Sequence, residues 1–367
     1  MITENHTKAA TESSLVASYK GVFRQKILFF FVLLALLGVL SVYAIAAGTY
    51  DLSPLEVIRA LLGQEEGPAN IVIWNIRMPR VAASIVAGWG LAISGVAIQC
   101  LLRNPLGSPF TLGISHGAAF GASLAIVAMG AGTTQAGVPR TTASALVFFE
   151  NLFSVTFFAF LGAMTATMVI LALSKLKRLS PGSIILAGVA LSSLFVSGTI
   201  LIQYFATEVE IATIVFWTFG DVSRSSWQEI ALMTAASALV TLYFLFNRWN
   251  LNALSSGEEV ARGIGVEVER IRFRGMFMAA LVAALVTAFH GVIAFLGLLA
   301  PHIARRMVGA DHRLLIPYAC IVGALLLLLA DTVGRTMVGS GTLPVGVLTS
   351  FMGAPLFLYL LIRGYGK

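Results

Sequence analysis

The chain has 367 residues, 58% of them hydrophobic and only 11% charged, with a formal net charge of +7. Soluble domains carry roughly 25% charged residues, so a water-exposed globular surface is excluded, and a mean hydropathy of +0.90 points to an all-α polytopic membrane protein. Cys100 and Cys320 both lie in apolar runs and suggest neither a disulfide framework nor a cysteine metal cluster.

Residues 1–26 are polar and read as a disordered cytoplasmic tail ending in Lys20, Arg24 and Lys26. The apolar run that follows is longer than the roughly 7–15 residues of a signal-peptide core, and GTYDLSP after it is not a small-residue cleavage site. It is a first membrane span. A crossing needs about 20 apolar residues, and by that rule about ten spans are expected. They lie near 27–49, 80–101, 110–130, 145–173, 183–205, 229–247, 275–290, 292–308, 314–334 and 343–363. Residues 27–367 thus form one transmembrane domain, and an even number of spans puts both termini on one side.

Lysine and arginine placement orients the spans. With the N-terminus cytoplasmic, inner segments hold 18 of the 24 basic residues. The outer ones hold Arg59, Arg77, Arg80, Arg140, Arg224 and Arg335. The positive charge is this bias and not a nucleic-acid signal, because no basic patch interleaved with aromatics accompanies it.

A weak internal echo suggests an inverted repeat, a transporter habit. Gly95-Val-Ala-Ile98 precedes one span break and Gly291-Val-Ile-Ala294 another.

Between the sixth and seventh spans lies a charged segment, residues 248–274, RWNLNALSSGEEVARGIGVEVERIRFR, with nine charged side chains. Ser256 with Glu259 three residues on has the form of a capping box. Glu258 and Arg262 are spaced for an i, i+4 ion pair, and Gly263 and Gly265 are stop positions. A helix of about two turns is expected, serving either as an ordinary interfacial loop or as a dock for a soluble partner.

No phosphate loop GxxxxGK[ST], HExxH, CxxC or GxSxG occurs. The chain is therefore expected to have no ATPase site and no cofactor of its own. Its five histidines, among them His116, lack ligand spacing. A gradient-driven carrier would need an ionisable group in mid-membrane. The candidates Glu150, Glu208, Glu210, Asp221 and Glu229 sit in or beside outer loops, and Asp331 is four residues from Arg335, spaced for a local pair.

Several motifs in order resemble the FecCD family of ABC-importer permeases. They are Arg77-Met-Pro-Arg80, Leu102-Arg-Asn-Pro-Leu106, Leu112-Gly-Ile-Ser115, Leu186-Ala-Gly-Val-Ala190, Gly257-Glu258 with Ala261-Arg262 and Gly265, Pro301-His-Ile303, Asp311-His-Arg313, Leu343-Pro-Val-Gly346 and Gly353-Ala-Pro355. The resemblance implies a vitamin B12 importer permease-like (type II) fold. It implies a homodimer in the bacterial or archaeal inner membrane, seated on two ATP-binding-cassette subunits that use ATP and magnesium. An extracytoplasmic substrate-binding protein would dock on top.

By the same resemblance Ser256, Gly257, Glu258, Glu259, Ala261, Arg262 and Gly265 contact the ATPase, and Arg77 and Arg335 receive the binding protein. The inner gate falls on Pro181 and Gly182, where the family's polar gate residues are replaced, and Ser183 begins the fifth span that lines the path. The path runs beside the fifth span and Trp217. His116, where relatives carry Ser or Asn, either faces the path or is a buried, hydrogen-bonded histidine. The implied cargo is an iron(III)-siderophore or related chelate, with haem, vitamin B12 and oxyanions as alternatives. A stand-alone secondary transporter and a non-transporting scaffold are the rival classes.

Overall fold

A computed structural model describes residues 2–48, 52–64, 67–130, 142–177, 180–337 and 342–364. Arg140, Arg178 and Lys367, used in the charge count, lie outside them. The described residues form helices and connecting turns, with no strand among them. In chain order the helices are α1 (Ile2–Ala46), α2 (Pro54–Leu61), α3 (Pro68–Val72), α4 (Met78–Leu101), α5 (Ile114–Ala128), α6 (Thr142–Lys177), α7 (Pro181–Phe205) and α8 (Glu208–Thr218). Then follow α9 (Trp227–Phe246), α10 (Arg248–Ser256), α11 (Glu258–Gly263), α12 (Val268–His290), α13 (Leu296–Val308), α14 (His312–Thr336) and α15 (Val345–Gly364).

Each of the ten expected spans coincides with a helix: α1, α4, α5, α6, α7, α9, α12, α13, α14 and α15. Among the described residues, seven regions of helix are long and apolar enough to cross a bilayer unaided. The tail expected to be disordered is instead continuous helix with the first span, from Ile2 to Ala46. No proline interrupts it, and Ala, Glu, Lys and Leu, which favour helix, recur before Gly21. The short α8 is an addition to the expected set. It is closed by a capping box in which Thr207 and Glu210 satisfy each other's backbone N–H groups.

The core is built on α4, which is buried on nearly every side. It packs against α12, α13 and α14 through small residues. Gly95 lies so close to Gly297 that a Cβ there would sit 1.7 Å from the Gly297 carbonyl oxygen. Gly88 and Gly323 meet in the same way, at 2.4 Å. Small residues let helix backbones approach and gain dispersion contact where lipid supplies no hydrophobic drive.

The echoed segments differ in structure: Gly95–Ile98 is mid-helix in α4, whereas residues 291–294 are a non-helical break between α12 and α13. Backbone leaves helix at membrane depth only where protein covers it. Here the Asp221 N–H donates to the His290 carbonyl at 2.8 Å. Gly220 and Gly346 both press on the Val292 carbonyl. Phe295, with φ 63°, turns the chain into α13.

Polar residues gather at the two ends of this bundle. At one end Lys26 donates to the Val308 carbonyl, Arg272 to the Leu101 carbonyl and Asn252 to Asp311. At the other end of α4, about 36 Å away by helix rise, stand Arg77 and Arg80. The charge sorting read from sequence therefore corresponds to a physical sorting by bundle end.

Candidate functional site

The charged segment folds as two short helices with a sharp break. Gly257 (φ 139°, ψ 148°) adopts a conformation essentially restricted to glycine and separates α10 from α11. This corrects the expected capping box. Ser256 is the last residue of α10, not an N-cap, and its hydroxyl donates back to the Asn252 carbonyl at 3.3 Å. The cap position belongs to Gly257, and no side chain caps α11. Glu259 is exposed, in the first turn of α11. Gly265 (φ 86°) ends the segment, and Ala261 is its buried foot.

The expected Glu258–Arg262 pair forms at 2.8 Å. A second partner was not visible from spacing. Arg272, only 8% exposed, reaches the other Glu258 oxygen at 2.9 Å while its Nε donates to the Leu101 carbonyl at 3.2 Å. One carboxylate thus joins α11 to α12 and, through Arg272, to the end of α4. A second tie runs from α10. Asn252 donates to Asp311 at 2.8 Å and accepts from the His312 backbone N–H at 2.9 Å, fixing α10 to the start of α14. Burial opposes ionisation of Asp311, but the hydrogen bonds from Asn252 and the Arg313 N–H prevail and hold its carboxyl below the usual range.

A cavity of about 950 Å³ opens beside this segment, walled by Glu258, Arg262, Arg272, Lys175, Ser180 and Pro181. The structure thereby brings Pro181, at the start of α7, to the charged segment. Gly182 and Ser183 follow it on α7 and are exposed, with the Ser183 N–H donating to Ser180 Oγ at 3.2 Å. Near the far end of α7 a smaller cavity of about 320 Å³ is lined by His116, Phe110, Ser115, Gln203 and Thr218. His116 is half-buried, its ring 4.8 Å from that of Phe110, and its Nδ1 has no hydrogen-bond partner. Trp217 is next to that wall on α8, and its carbonyl presses on Gly291. Along α7, Leu186, Val189, Leu194, Ile200 and Leu201 are exposed, with Ile200 in the wall of the second cavity.

At the opposite end of the bundle stand Arg77 and Arg335, the two arginines expected to receive the binding protein. Arg77 is 6% exposed, and its Nη1 donates to the carbonyls of Ile45 and Ala46 at 2.6 and 2.7 Å. Arg335 donates to the carbonyls of Ala44 and Ala47 at 2.7 and 3.2 Å. The last carbonyls of α1 lack intrahelical partners and carry the negative end of the helix dipole, so cations cap them. Asp331 does pair with Arg335, at 3.5 Å, as its spacing suggested. Its shorter contacts, 2.8–3.0 Å, are bidentate from Arg80, 251 residues away. A π-helical turn, Ile73–Arg77, precedes α4 and carries Arg77.

A polytopic helical bundle with a short, glycine-delimited charged helix pair at one end defines a transport permease. The comparisons place it more narrowly: residues 33–363 match the FecCD transport family, and the chain belongs to it. The hemin transport system permease protein HmuU of Yersinia pestis is 34% identical over 332 residues, 90% of this chain and 94% of that one. The molybdate import system permease protein MolB of Haemophilus influenzae is 34% identical, covering 91% and 96%. A candidate ABC transporter permease protein of Methanocaldococcus jannaschii is 49% identical, covering 95% and 98%. Among solved structures, an inward-facing conformation of a candidate metal-chelate type ABC transporter superposes with a TM-score of 0.77 at 31% identity. It covers 91% of this chain and 99% of that one. The protein is a multi-pass permease of the ABC-importer class.

Proposed function

We propose that this permease imports a metal chelate, of the iron(III)-siderophore type, across a cytoplasmic membrane as a homodimer. In this reading a separate pair of ATPase subunits grips the segment around α11, and an extracytoplasmic binding protein delivers cargo at the Arg77 end. The carrying observation is the mechanical continuity from α11 to the bundle. Glu258 is held by Arg262 and Arg272, and Arg272 is anchored on α4. A displacement of α11 by a motor subunit would reach α12 and α4 through rigid ion pairs and not through a slack loop.

The 950 Å³ cavity lies between the same residues and Pro181, so a displacement of α11 would reshape the space beside the start of α7. The exposed apolar face of α7 is read as the surface that meets the second protomer and lines the path. The distribution of Lys and Arg supports an inner location for the basic bundle end, with both termini in the cytoplasm. The chemical class of cargo rests on the metal-chelate transporter as structural relative. The hemin and molybdate relatives keep haem and an oxyanion as second readings.

Reconstitution into vesicles with the ATPase and binding protein tests this. Uptake of a ferric chelate should require ATP and both partners. Uptake by this chain alone, driven by a proton or sodium gradient, would reject it.

A further inference from the structure

At the end of the bundle that bears the charged segment, a separate cavity of about 240 Å³ opens between the turn after α4, the end of α10 and the α13–α14 connection. Its wall carries Arg103, Arg305, Asn104, Ser255, Gln99 and His312, and no Asp or Glu. Neither arginine pairs with a carboxylate among the described residues, and Arg305 donates only to the amide oxygen of Gln99, at 3.2 Å. The nearest acid in sequence, Asp311, accepts from Asn252 and from the Arg313 N–H and is not part of the wall.

His312 supplies the second observation. It is 2% exposed, and its Nδ1 lies 2.7 Å from Asn252 Oδ1. That oxygen also accepts from the His312 backbone N–H, and Asn252 Nδ2 donates to Asp311. Nδ1 is therefore the protonated donor, and Nε2 stays buried without any partner. A native fold rarely leaves a buried polar atom unsatisfied unless a water, ion or ligand meets it.

We propose that this cavity binds a phosphate group. Two guanidinium groups without carboxylate partners offer the forked donors that match tetrahedral oxyanions. Asn104 and Ser255 add neutral polar contacts, and in the neutral His312 ring Nε2 is the acceptor left for a P–OH donor. The volume equals about eight waters at ~30 Å³ each, which suits one hydrated phosphate and not a chelate. The phosphate comes either from solution or from the headgroup of an anionic lipid. In both cases it would bridge the ends of α4, α10 and α13 and stiffen the base on which α11 is mounted.

The test uses the full chain purified in detergent, with Arg103→Gln and Arg305→Gln variants. Inorganic phosphate is titrated against chloride at constant ionic strength, followed by calorimetry and thermal unfolding. Native mass spectrometry compares retention of phosphatidylglycerol with that of phosphatidylcholine. Saturable phosphate binding, or selective phosphatidylglycerol retention, should weaken at least tenfold in each variant. Phosphate binding without lipid selectivity identifies the soluble source, and the converse identifies the headgroup. Absence of both, or equal binding by Arg103→Gln with an unchanged melting temperature, overturns the proposal. Arg103 is exposed in a turn, so that variant remains informative if Arg305→Gln fails to fold.

Discussion

Glu258 and Arg272 meet at 2.9 Å across the break between α11 and α12, and Arg272 spends its remaining reach on the last carbonyl of α4. Removing the carboxylate leaves Arg272 largely buried and half-paired. Breaking a fully buried pair costs about 3–5 kcal/mol, and the partial exposure of Glu258 reduces this to about 1–2 kcal/mol. Glu258→Ala should therefore leave the bundle folded while loosening α11. In a reconstituted complex, ATP hydrolysis should persist and transport per ATP should fall several-fold. Unchanged coupling would show that this ion pair does not transmit force.

Three glycines of the charged segment should behave differently. Gly257 (φ 139°) and Gly265 (φ 86°) hold conformations that a Cβ disfavours, whereas Gly263 has ordinary helical geometry and open space around it. Gly257→Val and Gly265→Val should each redirect α11, at a cost of about 1–3 kcal/mol, and uncouple transport. Gly263→Ala should be neutral or slightly stabilising. Side-by-side transport assays of the three variants check the order.

Asp331 is 1% exposed and neutralises Arg80 and Arg335 together. Asp331→Ala removes the shared counter-charge of two largely buried cations and should cost about 3–5 kcal/mol, seen as a large drop in detergent melting temperature. Arg80→Lys keeps the charge but loses the fork, so it should cost less.

Arg77 and Arg335 hold the end of α1 by its carbonyls. Arg77→Ala should raise amide exchange near Ala44–Ala47, with about 1.5–3 kcal/mol lost per charged hydrogen bond removed. Binding-protein affinity is measured alongside. A tenfold loss of affinity with unchanged exchange would mean that the guanidinium leaves the helix end to dock, against the anchoring described here.

Acid should loosen the tie between α10 and α14. The folded-state pKa of Asp311 is depressed, so its stabilisation is present above the ordinary carboxylate pKa and is lost as pH falls through the depressed value. Asp311→Asn should remove that acid-dependent part of the melting curve.

Much of this arrangement was legible locally. Long apolar runs marked the ten spans because a bilayer demands length, and the Glu258–Arg262 pair followed from helix spacing. The same local logic misplaced Ser256. An S-x-x-E pattern cannot tell whether the serine begins a helix or ends the previous one, and the glycine-only conformation at Gly257 decided it. Trp217 and His116 were named without a geometry, and it took packing to put His116 in one cavity with Gln203 and Thr218 and Pro181 in another with Glu258.

By itself the sequence determined the class of protein, the apolar runs that became its long helices and the position of its charged segment. These depend on hydropathy and on interactions within a few residues. Only the tertiary structure decided that Arg80 takes Asp331, that Arg272 takes Glu258, and that Arg77 and Arg335 turn inward onto α1. In a membrane core each buried charge must find a partner on whichever helix packing brings near. Residues 251 positions apart leave no periodic trace of that choice.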